Sequence, residues 1–283
     1  FPPNREIIQY FAKSYSLDGQ RNIKDPVGMQ GIRLEVDAHI VTGATPNIRN
    51  LDGALEKAEF QPNNHTVSSL AAAEATLTRE QKEAGVVVID IGAGTTNLIV
   101  IEDGEVQYVA VLPVGGMHIT NDLAIGLKTD LDVAEQVKVE HATLVEGKKA
   151  TANVTVKDTH HSFAMEEVFM ITEARVDELF EYVDKELQRI RKSRKLPGGA
   201  VLTGGTSKLP GIAEFAKEKL QIAARIGKIH NVTGLVDTVE DQEFTTAVGL
   251  MMLDMLLLPQ QMSGSNAKPG LGSITSIVQR FMR

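Results

Sequence analysis

A run of β-branched residues that ends in a glycine-rich turn constrains the fold of this chain more than any other feature. Residues 86–91 read VVVIDI, which is typical of a strand buried on both faces of a sheet. The turn GAGTTN follows at residues 92–97, and a second apolar strand is predicted from residue 98 to residue 101. Two strands joined this closely predict a buried hairpin.

The same turn carries groups that can hold a phosphate. Gly92 and Gly94 permit backbone angles that are costly for other residues, so successive N–H groups can point at one anion. Asp90, at the end of the strand, is placed to hold a metal ion or its bound water beside that anion. Thr95 and Thr96 add hydroxyl donors. An ordinary glycine hairpin is the alternative, and the acidic strand end with the two threonines favours nucleotide binding.

A second glycine turn follows a short strand predicted over residues 199–203. Gly204, Gly205 and Ser207 lie in this turn, and a helix is predicted to begin after Gly211. The N–H groups of the turn and of the helix N-terminus can receive a ribose or a phosphate. One such turn is a weak signal, but two in one chain favour a nucleotide cleft. The patterns GxxxxGK[ST] and GxGxxG do not occur, which excludes the P-loop and Rossmann interpretations.

Composition excludes several classes of protein. At 283 residues the chain can bury a sizeable core and hold more than one domain, and its net charge of −8 argues against a nucleic-acid partner. The absence of cysteine excludes disulfides and thiolate metal sites. No apolar run is long enough to span a bilayer. Because the first residue is Phe1 rather than Met, we expect the natural N-terminus to lie upstream.

Periodicity and turn residues predict the remaining elements. Further strands are predicted over residues 7–17, 32–42, 106–114 and 151–156, and helices over residues 45–59, 67–77, 119–127, 130–140, 171–194 and 245–258. Asn47 and Thr172 are the predicted starting residues of two of these helices. Residues 78–84 are predicted to be a charged connector.

The last residues of the chain form a separate amphipathic pattern. One helical face is apolar and the other polar and cationic, with Ile274, Ile277, Val278, Phe281 and Met282 opposite Thr275, Ser276, Gln279, Arg280 and Arg283. Residues 259–272 are predicted to be a flexible linker. The pattern favours an interfacial membrane anchor over a helix docked on the body. So short a helix needs several copies to bind firmly.

Together these pieces resemble the actin-like ATPase superfamily and, within it, the FtsA family of bacterial cell-division proteins. The resemblance covers nearly the whole chain. It is carried by a second phosphate motif at residues 90–96, a connecting motif at 113–124, a nucleoside helix at 133–138 and an adenosine motif at 202–211. Residues 24–31 and the strand after them look like the FtsA-specific subdomain 1C.

The resemblance implies a site for ATP and Mg²⁺ with a role for each matched residue. Asp90 would hold the hydration shell of the metal ion, and Glu135 and Lys138 would contact the nucleoside. The phosphates and the other side of the nucleoside would be held by Gly92, Gly94, Thr95, Thr96, Gly115, Gly116, Gly204, Gly205 and Ser207.

The implied fold is α/β, with actin-like (ribonuclease H-like) subdomains, an FtsA-type 1C insertion and a C-terminal amphipathic helix. The expected parts are a partial 1C-like subdomain at 1–60, a strand and helix of subdomain 1A at 61–84, subdomain 2A at 85–115 and 170–238, subdomain 2B at 116–169, a core helix at 239–258, the linker at 259–272 and a membrane-targeting helix at 273–283.

Three departures from the family pattern bear on chemistry. The first phosphate motif is absent, and Asn97 stands where the family usually has Asp. Hydrolytic relatives place a Glu before an alanine-rich helix, whereas this chain has Ser69 there and Glu74 only further on. Without a carboxylate to orient water, we expect at most weak ATP hydrolysis.

The implied function is an adaptor that polymerises and anchors the FtsZ ring to the cytoplasmic face of the cell membrane at the division site. Residues 116–169 would receive the FtsZ C-terminal tail, and the terminal helix would contact the membrane through Ile274, Ile277, Val278, Arg280, Phe281, Met282 and Arg283. The alternatives are a pilus-assembly ATP-binding protein of the same fold, and an ATPase or sugar kinase of the superfamily.

Overall fold

The structure is a computed structural model that describes residues 3–62, 64–147, 150–230 and 241–257. The strands are β1 Arg5–Leu17, β2 Gln20–Ile23, β3 Leu34–Ala44, β4 Val86–Ile91, β5 Thr96–Glu102, β6 Glu105–Leu112, β7 Thr151–Val156, β8 Thr159–Ala164, β9 Ala200–Thr203 and β10 Ala224–Ile226. The helices are α1 Thr45–Lys57, α2 Ser68–Thr76, α3 Arg79–Ala84, α4 Gly116–Gly126, α5 Leu131–His141, α6 Met165–Arg189, α7 Ile212–Leu220 and α8 Thr245–Leu257.

A five-stranded mixed sheet organises the described part of the chain, in the order β10-β9-β4-β5-β6. Strands β4, β5 and β6 pair antiparallel, whereas β9 pairs parallel with β4 and β10 parallel with β9. A three-stranded sheet, β2-β1-β3, precedes it in sequence, and a two-stranded sheet, β7-β8, is inserted between α5 and α6. The architecture is therefore α/β, as the sequence predicts.

The central strand β4 is buried on both faces, which explains its uninterrupted apolar sequence. Val87, Ile89 and Ile91 belong to a cluster that includes side chains of α4 to α7. Val86 and Val88 point to the other face, toward α2 and Leu253 of α8. Because side chains alternate along a strand, Asp90 lies on the face that α2 and α8 cover.

Helices α2 and α8 cross at very short range. Ala71 and its neighbours in α2 are fully buried. Gly249 of α8 lies so close that a Cβ atom built on it would be 1.9 Å from the carbonyl oxygen of Ala71. Only a glycine permits this approach, because the atom in contact belongs to the backbone of α2.

The three-stranded sheet contacts the body of the molecule along β6. The rings of His39 in β3 and Tyr108 in β6 lie 5.5 Å apart between centroids. The Tyr108 hydroxyl donates to Glu186 of α6. Burial, helped by this carboxylate, raises the pKa of Tyr108 to about 12. Tyr108 therefore bridges the two sheets and α6 as a neutral donor.

The predicted subdomains correspond to these sheets in sequence. The three-stranded sheet lies within residues 1–60, the two-stranded sheet within 116–169, and all of the five-stranded sheet within 85–115 and 170–238. Helix α8 lies within residues 239–258. The subdomain boundaries themselves stay a prediction.

Some sequence predictions of local structure are wrong. Residues 79–84 form helix α3 rather than a connector, because Thr78 and Gln81 make a reciprocal capping box. The described residues of 61–84 hold α2 and α3, and no strand is found among them. Helix α1 begins at Thr45 without a side-chain cap, so Asn47 does not start it. Strands β2, β8 and β10 were not predicted.

Helix α6 also begins earlier than the sequence suggests. It starts at Met165 with Glu166 and Glu167 in its first turn, where carboxylates complement the helix dipole. Thr172, the predicted starting residue, is fully buried inside the helix. The helix ends at Arg189 rather than at residue 194.

The predicted linker at 259–272 and the predicted membrane helix at 273–283 lie outside the described residues. Among the residues that the structure does describe, no helix is both long and apolar enough to cross a membrane.

The helix crossing yields a stability prediction. The substitution Gly249→Ala should lower the free energy of unfolding by about 1–3 kcal/mol, because the methyl group would collide with the Ala71 carbonyl. Gly53→Ala in α1 is the matched control. Its Cβ meets nothing within 4 Å, so it should stabilise by about 0.5–1 kcal/mol. Urea denaturation measures both, and equal effects would contradict the close crossing.

Candidate functional site

The turn between β4 and β5 presents unpaired backbone donors. The Gly92 amide donates to the carbonyl oxygen of Thr95 at 2.9 Å, which closes the turn. Between them, Ala93, Gly94 and Thr95 are exposed, and their amides donate to no oxygen of the described residues. A Cβ on Gly94 would meet nothing within 4 Å, so the turn faces open space. Adjacent free N–H groups of this kind form an anion-binding concavity.

The N-terminus of α4 fixes the direction of those donors. The amides of Gly116 and Met117 donate to the carbonyl oxygens of Gly92 and Ala93, at 2.9 and 2.8 Å. In a trans peptide the C=O and N–H groups point in opposite directions. Because both carbonyls point toward α4, the N–H groups of Ala93 and Gly94 must point away from it. The connecting segment thus orients the anion-binding amides.

Gly115 and Gly116 allow this contact because they lack a side chain. A Cβ on Gly115 would lie 2.6 Å from the Gly92 carbonyl oxygen, and one on Gly116 would lie 2.4 Å from Oγ1 of Thr206. Gly115 and Gly116 therefore serve the site by letting backbone groups approach each other closely. The Gly116 amide itself is not free for a ligand, because it already donates to the Gly92 carbonyl oxygen.

The two predicted threonines of the turn differ in availability. Thr96 is fully buried, and its hydroxyl donates to the carbonyl of Val114 at 2.8 Å. This bond ties the turn to the connecting segment, so the Thr96 hydroxyl proton is not available to a ligand in this structure. Thr95 is exposed beside the free amides.

Asp90 lies below the turn and is almost buried, at 9% exposure. Its Oδ2 accepts from the hydroxyl of Thr246, at 3.3 Å, on the first turn of α8. Asn97 of β5 lies directly opposite Asp90 in the pairing of β4 with β5. Burial raises the pKa of Asp90, and interactions with the side chains of Thr246, Asn97 and Thr203 oppose that rise. A carboxylate that is costly to bury alone is a good partner for a cation.

The second glycine turn adjoins the first. Gly204 has φ +83°, and a Cβ there would lie 2.5 Å from Asp90 Oδ1. The Thr206 hydroxyl donates to the Gly92 carbonyl at 3.0 Å, which joins the two turns. Ser207 is buried and its hydroxyl donates to the Gly204 carbonyl at 2.7 Å, so it closes its own turn. A Cβ on Gly205 would meet nothing within 4 Å, so this residue borders open space.

Glu135 and Lys138 of α5 form a third part of the site. The Lys138 ammonium donates to Glu135 Oε2 at 2.7 Å, to Thr120 Oγ1 at 2.9 Å and to the Gly116 carbonyl at 3.3 Å. Burial acts to raise the pKa of Glu135, but hydrogen bonds from Lys138 and Thr120 outweigh it and the pKa is lowered. Glu135 is therefore held ionised beside the connecting segment.

The predicted site residues thus form one connected cluster. Contacts run from Asp90 through Gly204 and Thr206 to Gly92, and from Gly116 to Lys138. Sequence reasoning missed Thr120, Thr206 and Thr246. Thr206 lies inside the second glycine turn and could have been named, whereas no local signal connects Thr246 to Asp90.

The donor set fits a nucleotide with a divalent cation. Free amides at residues 93–95 suit phosphate oxygens, and the Asp90 carboxylate suits a hard cation or its water ligands. Glu74 does not join this set, because it accepts from Lys82 at 2.7 Å with both side chains largely buried.

The fold and the two joined glycine turns define an actin-like protein. MreB5 of Spiroplasma citri bound to ADP matches with a TM-score of 0.62 and 16% identity, over 75% of this chain and 66% of that one. A PilM–PilN type IV pilus biogenesis complex matches with a TM-score of 0.62 and 19% identity, over 89% of this chain and 67% of that one. At such identities the likeness establishes the fold alone.

The family is established by sequence. Residues 87–249 match the family model for the cell division protein FtsA, and residues 1–42 match the SHS2 domain inserted in FtsA. FtsA of Pseudomonas aeruginosa is 34% identical over 89% of this chain and 61% of its own length, and FtsA of Bacillus subtilis 36% over 88% and 57%. This chain belongs to the FtsA family. It spans about three fifths of the length of these relatives.

The family match confirms the resemblance and the FtsA-type insertion. The SHS2 match falls on the three-stranded sheet, which lies within the residues predicted as 1C-like. The match with PilM–PilN fits the expected kinship of fold with pilus-assembly proteins, but it carries no family assignment. The roles of the individual site residues stay predictions.

The Glu135–Lys138 pair yields a prediction about pH. Replacing Lys138 by Met should raise the pKa of Glu135. The variant loses the hydrogen bond from Lys138 that lowers this pKa, while burial still raises it. A carbon-detected NMR titration of the Glu135 carboxyl measures the change. Lys157→Met is the control. Lys157 pairs with Asp132, which is exposed and lies on α5, the helix that also carries Glu135.

The sign of the stability effect follows from the lowered pKa. Ionised Glu135 stabilises the fold above its ordinary pKa of 4.5, and this contribution is lost as the pH falls through the lower pKa of the folded state. Because Glu135 is half exposed, the contribution should stay below about 1 kcal/mol. An unchanged Glu135 pKa in Lys138→Met would contradict the assignment.

Proposed function

We propose that this chain is part of an ATP-binding, actin-like adaptor that polymerises and anchors the FtsZ ring to the cytoplasmic face of the membrane at the division site. Membership of the FtsA family supports this role. The observation that carries the nucleotide part is the set of free amides at residues 93–95, in a turn that the Thr206 hydroxyl joins to the second glycine turn.

In this proposal the β4–β5 turn binds phosphate oxygens through the amides of Ala93, Gly94 and Thr95. Gly92, Gly115 and Gly116 keep these amides directed at the ligand through their contacts with α4. The ribose and base lie between Gly205 and the Glu135–Lys138 pair. Thr96 and Ser207 support the two turns through their bonds to backbone carbonyls.

Asp90 is proposed to hold the hydration shell of Mg²⁺, which would neutralise charge on the phosphates. The Asp90 carboxylate has a fixed orientation, because it is almost buried and accepts a hydrogen bond from Thr246. Turnover should be slow at most, since Glu74 is paired with Lys82 and Ser69 is buried at the start of α2. We infer a nucleotide-sensing role rather than that of a fast ATPase.

The tethering part of the proposal rests on sequence. Ile274, Ile277, Val278, Phe281 and Met282 form an apolar face, and Arg280 and Arg283 suit anionic headgroups. Several copies in a filament would supply the avidity that one short helix lacks. The FtsZ C-terminal tail is proposed to bind within residues 116–169, which contain α4, α5 and the β7–β8 hairpin.

A charge substitution in the turn tests nucleotide binding. Gly94→Asp should weaken binding of a fluorescent ATP analogue about tenfold or more, because a carboxylate would face the phosphates at short range. Gly94→Asn is the isosteric neutral control and should bind much better than Gly94→Asp. Both fit sterically, since a Cβ at this position meets nothing within 4 Å. Equal affinity of the two variants would contradict a phosphate at this turn.

A vesicle assay tests the tether and the adaptor role. The chain should co-sediment with vesicles that contain anionic lipid, steeply with protein concentration, and should carry added FtsZ with it. Removing residues 274–283 should abolish both effects, and Phe281→Ser should weaken both. Equal sedimentation of the intact and shortened chains would exclude the tether. Loss of FtsZ alone would exclude only the adaptor role.

A further inference from the structure

We propose that Thr246 is a positioning residue that orients the Asp90 carboxylate toward the cation of a bound nucleotide, from a place fixed by the crossing of α8 over α2. The inference rests on the proposed nucleotide site and names a residue of that site that lies about 156 positions away from Asp90 in sequence. It assigns to α8 a part in ligand binding beyond its part in the core.

The first step is the direction of Asp90. Because β4 alternates, Asp90 projects on the same face as Val86 and Val88, under α2 and α8 rather than toward α4. The donor that its Oδ2 accepts from is Thr246 at 3.3 Å, and its Oδ1 lies against the backbone of Gly204. The carboxylate therefore lies between the Thr246 hydroxyl and the main chain at Gly204, and the side chains of Asn97 and Thr203 also stabilise its ionised form.

The second step is the rigidity of the donor. Thr246 and Gly249 lie three residues apart on α8, which separates them by about 4.5 Å along the helix axis. Gly249 is in direct contact with the backbone of Ala71, and Val248 and Leu253 are buried on the same helix. The helix cannot slide along its axis without moving α2. The hydroxyl of Thr246 is thus held by helix packing, not by a loop.

The third step is the anchoring of the start of α8. The 3-10 turn Gln242–Phe244 precedes it, and the Gln242 side-chain amide donates to the Gly227 carbonyl at 2.7 Å. Gly227 follows β10, at the edge of the five-stranded sheet. The first turn of α8 is therefore tied to the same sheet that carries Asp90.

The fourth step is chemical. A carboxylate with one oxygen held by a donor presents its other oxygen in a defined direction, which is how outer-shell partners tune metal ligands. The contact of 3.3 Å is longer than an ordinary hydroxyl–carboxylate hydrogen bond, so a small approach of α8 to β4 would strengthen it. Cation binding at Asp90 and the position of α8 are then coupled.

The chain itself offers a matched control. Thr245 precedes Thr246 and is buried, at 1% exposure, but its hydroxyl has no hydrogen-bond partner among the described residues. Replacing either threonine by Val keeps the shape and removes one hydroxyl. Thr245→Val removes a buried hydroxyl that has no partner, so it controls for the Thr-to-Val change at the start of α8, and only Thr246→Val removes a contact with Asp90.

The experiment is a titration of a fluorescent ATP analogue into the full 283-residue chain, with Mg²⁺ or with EDTA. The ratio of the two affinities reports the contribution of the cation. Thr246→Val should lower this ratio about tenfold, at the lower end of effects seen for outer-shell partners. Thr246→Ser should restore it, and Thr245→Val should leave it unchanged. Urea denaturation without ligand checks that the variants are folded.

The outcomes separate the inference from the function it rests on. A normal Mg²⁺ ratio in Thr246→Val would overturn the positioning role while leaving the nucleotide site intact. Equal losses in Mg²⁺ and EDTA, or an equal effect of Thr245→Val, would assign Thr246 to structure alone. If the unsubstituted chain binds no analogue in either condition, the proposed nucleotide site fails and the inference fails with it.

Discussion

The site depends on two hydrogen bonds from the start of α4 to the carbonyls of Gly92 and Ala93. These bonds rotate two peptide planes so that their N–H groups point into open space. They also bring α4 so near the turn that a Cβ on Gly115 would lie 2.6 Å from the Gly92 carbonyl oxygen. Thr206 then reaches the same Gly92 carbonyl and joins the second glycine turn to the first. One arrangement of backbone groups thus determines most of the site.

Much of the core could be predicted from sequence because its signals are local. The apolar run of β4 and the alanine-rich pattern of α2 each report burial within a few residues. The alternation of β3 predicts the strand but not its burial, since Leu34, Val36 and Ile40 are at least half exposed. Helix α3 was missed because the charged composition of residues 78–84 suggested a connector. Its capping box, formed by Thr78 and Gln81, was nevertheless present in the sequence. Strands β2 and β10 have only four and three residues, too few to show a period, whereas β8 carries polar residues at its first four positions and so lacks a clear apolar alternation.

The site was predictable only in part, and the reason is the distance over which its contacts act. Gly92, Gly204 and Asp90 are visible because they lie at the ends of predicted strands or directly after them. The parts played by Thr96 and Ser207 were not visible, because their hydroxyls are used by carbonyls that only the folded chain brings near. Thr246 reaches Asp90 from a helix near the other end of the described chain. No pattern within either segment encodes that meeting.

The crossing of α2 and α8 has a consequence for genetics. The contact at Gly249 is with a main-chain oxygen, and every residue type at position 71 would present the same oxygen. A defect caused by a larger residue at 249 therefore cannot be repaired by a smaller one at 71. Suppressor mutations should instead arise where they let one helix shift as a whole, among the side chains that pack α2 and α8 against the sheet. Position 249 is therefore constrained although no change of residue type at position 71 can compensate for a substitution there.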